Sequence, residues 1–426
     1  MSASVYHVQP LTHPLDSTVC VPGSKSITNR ALLVAALADG HSTLDGALFS
    51  DDTTYMAQAC AALGVAVTTD ATGARFTVDG GGGTFPAAAA ELFVGNAGTA
   101  MRFLAAALCL GHGRFRLDGT PRMRERPMQD LVDALAQLGA RVQCIERPGC
   151  PPLVIDADGL RGGAATVAAA KSSQFLSGLL LVAPCTHTGA DLTVVGPLVT
   201  PPYIDMTLGV MSAFGVRADR DGYGRFRIPP QRYAARAYRI EPDASSAHYF
   251  WAAAALTGGR VRVEGLGTAS LQGDVHFVDL LEQMGARVVR GADFIEVHGG
   301  AHLDGIEADM NALSDTMPTL AVLAAFARRP VTIRNVAHVR LQESDRLHAV
   351  ATELQRLGVR VRELDDGLVI EPSPVRGGQV ETYDDHRIAM AFALAGLLVP
   401  GVAIRNPACV RKTFPDYFAR LEALRS

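Results

Sequence analysis
The strongest constraint on how this chain folds is that it repeats itself six times. A helix running into a turn, a short strand and a closing Gly or Asn recurs along its length. The copies are AALADGHSTLDG from Ala35, AALCLGHGRFRLDG from Ala106, AAALTGGRVRVEG from Ala253, AAFARRPVTIRN from Ala324 and AGLLVPGVAIRN from Ala395. A looser copy, LLLVAPCTHTGADLTVVG, begins at Leu179. The closing residues Gly46, Gly119, Gly196, Gly265, Asn335 and Asn406 are 73, 77, 69, 70 and 71 positions apart, and one sixth of the 426-residue chain is 71. Such self-similarity decides the architecture before any single motif does.

A second element keeps the same period. Amphipathic helices run into Gly64, Gly139, Gly215, Gly285 and Gly358, each followed by Val or Ala. Glycine there suits the left-handed residue that ends a helix. Paired apolar strands such as ARFTVDG and DFIEVHGG follow, so each repeat reads strand–helix–strand–helix–strand–strand. The last second helix, FPDYFARLEAL, has no strands after it, and the alternating N-terminal stretch SVYHVQPL is expected to complete that repeat. A chain of this length exceeds one ordinary core. The expected fold is therefore α/β in two domains of three repeats: residues 22–240 in one, and 1–21 with 241–426 in the other. The crossings fall near Val21 and Ile240.

Composition removes several function classes. A net charge of −4 gives no electrostatic case for nucleic acid or an anionic membrane. The seven cysteines are odd in number and scattered, without a C-x-x-C pair, so neither a metal site nor a disulfide framework is suggested. The stretch MSASVYHVQPLTH lacks a basic segment followed by an apolar one, and no apolar run reaches membrane-spanning length. The expected setting is the reducing cytoplasm.

The residues that open the first helix of each repeat carry the chemistry. They are GSKS near Ser26, GNAGT near Gly98, KSSQ near Ser173, PDASS near Ser245, LSDT near Asp315 and DDHR near His386. The first looks like half of a nucleotide P-loop, but that loop needs Gly directly before its Lys, and Ser24 precedes Lys25. What survives is a helix N-terminus with unpaired N–H groups beside a lysine, with Ser26 and Arg30 four apart on one face. Each opening alone is an ordinary N-cap. Six alike, in halves that face each other, would bring six N-termini to one interdomain cleft. RMRERPMQD, RLQESDRL and VRKTFPD place further cations at the starts of second helices, where the macrodipole disfavours them. Cations set there in an acidic chain point to a ligand with several negative charges, such as paired phosphates or a phosphate and a carboxylate. Asp315, Glu343 and His386 are the acid–base candidates. Neighbouring arginines would keep a carboxylate ionised and burial would oppose that, so either role stays open.

PGSKSITNRAL, LFVGNAGTAMR, RMRERPM, SSQFLSGLLL, PPYIDMTL, ESDRL, DDHRIAMAFA and RKTFPDYF, from about Val21 to Phe418, resemble the signature segments of the 3-phosphoshikimate 1-carboxyvinyltransferase (EPSP synthase) family. The resemblance implies two inside-out α/β barrel domains of three βαβαββ repeats each, with the active site in the interdomain cleft. It implies transfer of the enolpyruvyl group of phosphoenolpyruvate to the 5-hydroxyl of shikimate 3-phosphate, by a monomer without metal or organic cofactor. Lys25, Ser26, Arg30, Ser172, Ser173, Gln174, Thr200, Tyr203, Asp315, His338 and Gln342 would meet shikimate 3-phosphate. Lys25, Gly98, Arg126, Gln174, Arg346, Arg387 and Lys412 would meet phosphoenolpyruvate. Asp315 would take the hydroxyl proton, and Glu343, with Lys25 as competitor, would handle the methylene proton. Gly98 leaves the close approach that the inhibitor glyphosate needs.

The chain departs from the family pattern at named positions. Gln342 stands where a lysine is usual, His338 where Asn is common, Thr200 where Ser is common, and Phe103 where many members have proline. An amide keeps a hydrogen bond but not the charge. Gln342 therefore keeps alive a binding paralogue that does not turn over. A sister transferase acting on UDP-N-acetylglucosamine would carry a cysteine in GHGRFRLDGTPRMRERP, which has none.

Overall fold
The computed structural model describes residues 4–425. The chain divides into two compact units, one formed by Gly23–Ile240 and the other by the described residues on either side of it. Pro22, expected in the middle segment, belongs with the flanking unit, where its carbonyl accepts from the Asp243 N–H.

The middle unit contains three four-stranded sheets. In the central repeat the order is Ala89–Phe93, His112–Asp118, Leu153–Asp158, Val142–Cys144. The first pair is parallel (Leu92 opposite Leu117) and the others antiparallel (Leu117 opposite Leu153). The parallel pair must be joined by a crossover, and the helix Gly98–Ala107 supplies it. This helix is buried along its whole length, as is nearly all of Lys25–Leu37 and Ser173–Val182. A helix apolar all round belongs in a core. The three first helices therefore fill the inside, and the sheets wrap them with one face towards water. No sheet closes on itself among the described residues.

The flanking unit repeats the plan around the helices Ala244–Thr257, Met317–Ala324 and His386–Ala395. Two of its sheets have four strands; the third has three, with Val5–His7 pairing antiparallel to Ala403–Arg405. The alternating N-terminal stretch thus completes the sixth repeat. One feature was not expected: two repeats exchange their first strands. Asp16–Cys20 pairs in parallel with Arg260–Glu264 in the flanking unit, while Ala237–Arg239 pairs in parallel with Asp39–Asp45 in the middle unit.

The turn residues behave as their types require. The five glycines that close the second helices have φ between +87° and +103°, a region costly for any residue with a Cβ. Gly119 does not have positive φ; a Cβ there would sit 2.4 Å from the Gly95 carbonyl oxygen.

Candidate functional site
In the middle unit the predicted residues gather at the N-terminal ends of the three buried helices. Lys25 is the first residue of its helix, capped by Ser24, and its Nζ lies 3.9 Å from Asp52 Oδ2. Arg30, one turn further in, donates from Nε to Thr207 Oγ1 (2.8 Å), from Nη1 to the Ser26 carbonyl (2.9 Å) and from Nη2 to the Tyr203 carbonyl (3.2 Å). Its guanidinium also lies over the rings of Phe103 (5.1 Å) and Tyr203 (5.9 Å). Burial pushes its pKa down to about 10.

Ser172 caps the third helix by accepting from the Gln174 N–H at 3.2 Å, and Gln174 Nε2 reaches Thr99 Oγ1 at 3.5 Å, linking two helix starts. The Ser173 and Thr200 hydroxyls are 2.6 Å apart, and Thr200 has φ +48°, a conformation residues other than glycine and asparagine rarely keep without cause. Gly98 opens its helix under Arg126, which donates to the carbonyl and the side-chain oxygen of Asn96, both at 3.2 Å. A Cβ on Gly98 would lie 2.7 Å from Arg126 Nη2, so only glycine leaves this guanidinium in place. Phe103 is accommodated within the unbroken Gly98–Ala107 helix.

In the flanking unit Arg346 organises the predicted residues. It is the first residue of the helix Arg346–Arg356 and is fully buried. Nε donates to Asp385 Oδ2 (2.8 Å) and Nη2 to Asp385 Oδ1 (3.3 Å) and Glu343 Oε2 (2.9 Å). Nη1 donates to Asp315 Oδ1 (3.1 Å) and to the Gln342 side-chain oxygen. Every N–H of this guanidinium is engaged, and the neighbouring carboxylates hold its pKa above the ordinary value against the effect of burial. Arg387 donates to the other Asp315 oxygen at 2.5 Å, and Lys412 Nζ lies 3.7 Å from Glu343 Oε1. Asp315, Glu343, Gln342, Arg346, Arg387 and Lys412 are thus one connected cluster.

His338 and His386 are buried, and burial lowers both pKa values, His338 to about 4 and His386 well below its ordinary value. Both imidazoles are neutral at pH 7. The pKa of Asp274 is raised to about 6, first by burial and then by the Asp315 charge; the Ser245 hydroxyl donates to it.

Several cations are placed otherwise than the dipole argument expected. Arg122, Arg124, Arg126, Arg340, Arg411 and Lys412 lie in or at the ends of short 3-10 turns ahead of the second helices, not in their first turns. Arg124 pairs with Asp118 and Glu146, Arg340 with Asp345 and Glu363, and Arg122 with Glu125. These are partly exposed ion pairs of modest worth. Pro202 opens its helix, where proline is tolerated, whereas Pro127 and Pro415 stand before theirs. Asp385 was missed as a site residue, although DDHR contains it. It caps the His386–Ala395 helix through the Arg387 N–H, accepts from Ser344 Oγ at 2.9 Å and holds Arg346.

No group of three His, Cys, Asp or Glu is placed to hold a metal among the described residues, and no described helix is long and apolar enough to cross a membrane. The pattern that defines EPSP synthase (3-phosphoshikimate 1-carboxyvinyltransferase) matches residues 11–421. The chain belongs to the EPSP synthase family. It is 50% identical over 414 residues to the 3-phosphoshikimate 1-carboxyvinyltransferase of Trichormus variabilis, covering 97% of each chain. It is 51% identical over 414 residues to that of a Nostoc species, again with 97% of each covered. The solved EPSP synthase of Acinetobacter baumannii superposes with a TM-score of 0.81 at 28% identity, covering 99% of this chain and 98% of that one.

Proposed function
We propose that the protein transfers the enolpyruvyl group of phosphoenolpyruvate to the 5-hydroxyl of shikimate 3-phosphate and releases phosphate. The observation that carries this reading is the pair of carboxylates, Asp315 and Glu343, bridged by one buried guanidinium and flanked by Arg387 and Lys412. Two fixed carboxylates suit a reaction in which one proton is removed and another delivered. Family membership adds the substrates.

In the middle unit we assign Ser26, Arg30, Ser172, Ser173, Gln174, Thr200 and Tyr203 to shikimate 3-phosphate, and Lys25, Gly98 and Arg126 to phosphoenolpyruvate. Lys25 also serves the first substrate and Gln174 the second. In the flanking unit Arg346, Arg387 and Lys412 take the negative groups of phosphoenolpyruvate, and Asp315, His338 and Gln342 address shikimate 3-phosphate. Glu343 delivers a proton to the methylene carbon, and Lys25 is its competitor for that task. The adjacent carbon becomes electrophilic, the 5-hydroxyl oxygen bonds to it, and Asp315 accepts the hydroxyl proton. The tetrahedral ketal then returns a methyl proton to Glu343 as its carbon–oxygen bond to phosphate breaks, and the departing phosphate takes up the proton that Asp315 accepted. The cationic groups stabilise charge developing on the leaving phosphate. The reading carries with it a cytoplasmic monomer that needs no cofactor. It also carries inhibition by glyphosate, for which Gly98 leaves room beside Arg126.

The test is phosphate release from phosphoenolpyruvate, with and without shikimate 3-phosphate. Release that needs both supports the transferase, and Glu343→Gln should then lower kcat by about 10²–10⁴-fold, the range for a general acid. Binding of shikimate 3-phosphate without phosphate release would instead describe a paralogue that binds and does not turn over.

A further inference from the structure
The segment that delivers Arg387 to the cluster is strained. Tyr383 and Asp384 are consecutive residues other than glycine in the left-handed region, with φ +53° and +55°. Side chains with a Cβ avoid this conformation, and it persists only where the surroundings enforce it. Asp385, Arg346's principal carboxylate, follows immediately, and its N–H closes the turn on the Thr382 carbonyl at 2.8 Å.

Glu353 enforces the turn. Its side chain is wholly buried in the last turns of the helix Arg346–Arg356. Oε1 accepts from the Tyr383 hydroxyl at 2.7 Å and from Arg356 Nη1 at 2.7 Å, and Oε2 accepts from the Glu381 N–H at 3.0 Å. From the far side, Asn406 Nδ2 donates to Asp384 Oδ1 at 3.0 Å. Glu353 stands seven residues after Arg346, two helical turns along the same face and about 10 Å away. One helix therefore grips one loop at two points: Arg346 holds Asp385, and Glu353 holds Tyr383.

We propose that Glu353 and Tyr383 are positioning residues for the transfer, holding the left-handed turn that aims Asp385 and, through it, Arg346 and Arg387. The inference rests on the function proposed above, because it gives Arg346 and Arg387 the task of binding phosphoenolpyruvate. Neither Glu353 nor Tyr383 touches substrate in this reading. A carboxylate kept buried only for stability would act on folding alone, and the two roles separate in kinetics.

Tyr383→Phe removes one hydroxyl from a half-exposed side chain and leaves the fold in place. In the full-length protein it should raise KM for phosphoenolpyruvate about tenfold, the equivalent of 1.4 kcal/mol. KM for shikimate 3-phosphate should stay within about twofold. Amide exchange should quicken at Asp385 and Arg387 and not in the rest of the unit. Glu353→Gln should act in the same direction and at least as strongly. Unchanged constants, or both KM values rising together with a falling Tm, would overturn the proposal. If the unmodified protein releases no phosphate, the functional reading fails instead. Exchange at the Asp385 and Arg387 amides in Tyr383→Phe then decides the positioning role by itself.

Discussion

Arg30 and Arg346 are equally buried, each 1% exposed, yet they sit in opposite electrostatic surroundings. Arg30 donates to hydroxyls and backbone carbonyls and lies over two aromatic rings; no carboxylate pairs with it among the described residues. Its pKa falls to about 10 because burial is not offset by a counter-charge. Arg346 donates to three carboxylates and an amide, and its pKa rises. A buried cation among dipoles alone is costly and invites an anion. A buried cation among carboxylates is satisfied and serves as a frame. Arg30 thus presents charge awaiting a ligand, whereas the groups around Arg346 are fixed relative to one another before any ligand arrives, and an anion that binds there exchanges for one of the carboxylates.

The largest expected effect separates the two. Arg346→Met leaves the fully buried Asp385 without its arginine and takes one of two cationic partners from Asp315 and from Glu343, and should cost about 3–5 kcal/mol of unfolding free energy, as breaking a buried ion pair does. Arg30→Met removes an uncompensated charge and should change stability by less than about 1 kcal/mol, or raise it. The same variant should lose shikimate 3-phosphate binding by about a hundredfold, since a charge-assisted contact is worth 1.5–3 kcal/mol. Urea unfolding and calorimetric titration read the two quantities. Equal stability losses in both variants would break the contrast.

The contrast also marks what could be read in the sequence. The repeat was legible because each copy must end a helix and turn a strand, and Gly or Asn appears where φ is positive, as at Gly46, Gly265, Asn335 and Asn406. The cationic and acidic residues were legible too, since their types stand at fixed places in the repeat. The strand exchange was not. Asp16–Cys20 and Ala237–Arg239 each precede a first helix, and alternation along a strand does not say which sheet edge, more than 190 residues away, it will pair with. The positions of Arg124 and Arg340 were misread because 3-10 turns carry no periodic signature distinct from a first helical turn. Asp385 looked like a cap, which it is. That it also anchors Arg346 depends on a contact spanning 39 residues.

An intermediate effect tests whether the carboxylate frame carries a cost. Asp274 is buried and its pKa is raised to about 6, whereas an unfolded aspartate titrates near 3.8. The native state therefore binds more protons than the unfolded one between about pH 4 and 6, and stability falls as pH rises through that window. The penalty is fully present above pH 6 and absent below pH 4. Asp274→Asn keeps an acceptor for the Ser245 hydroxyl and cannot ionise. It should stabilise the protein at pH 7.5 by up to about 2–3 kcal/mol, from 1.36 kcal/mol per pKa unit, with the gain vanishing at pH 4. Tm measured across pH 4–8 for both proteins gives the answer. A pH-independent difference would mean that Asp274 is compensated after all.

The smallest effect concerns Gln342, where the family resemblance expects lysine. In this chain the Gln342 oxygen accepts from Arg346 Nη1 and completes the set of acceptors around that guanidinium. Lysine cannot accept, so Gln342→Lys would leave one N–H of a buried arginine without its partner and bring a second cation towards it. The three carboxylates already present and the reach of a lysine towards water blunt the repulsion. The expected loss is about 1 kcal/mol of stability, the net worth of one hydrogen bond, with kcat falling alongside it. Higher stability together with higher kcat in Gln342→Lys would show the opposite: that the frame around Arg346 has room for another charge, and that the amide is a deficit here. Under the first outcome, position 342 belongs to the frame that fixes Arg346; under the second, it belongs with Arg30, among the cations that wait for an anion.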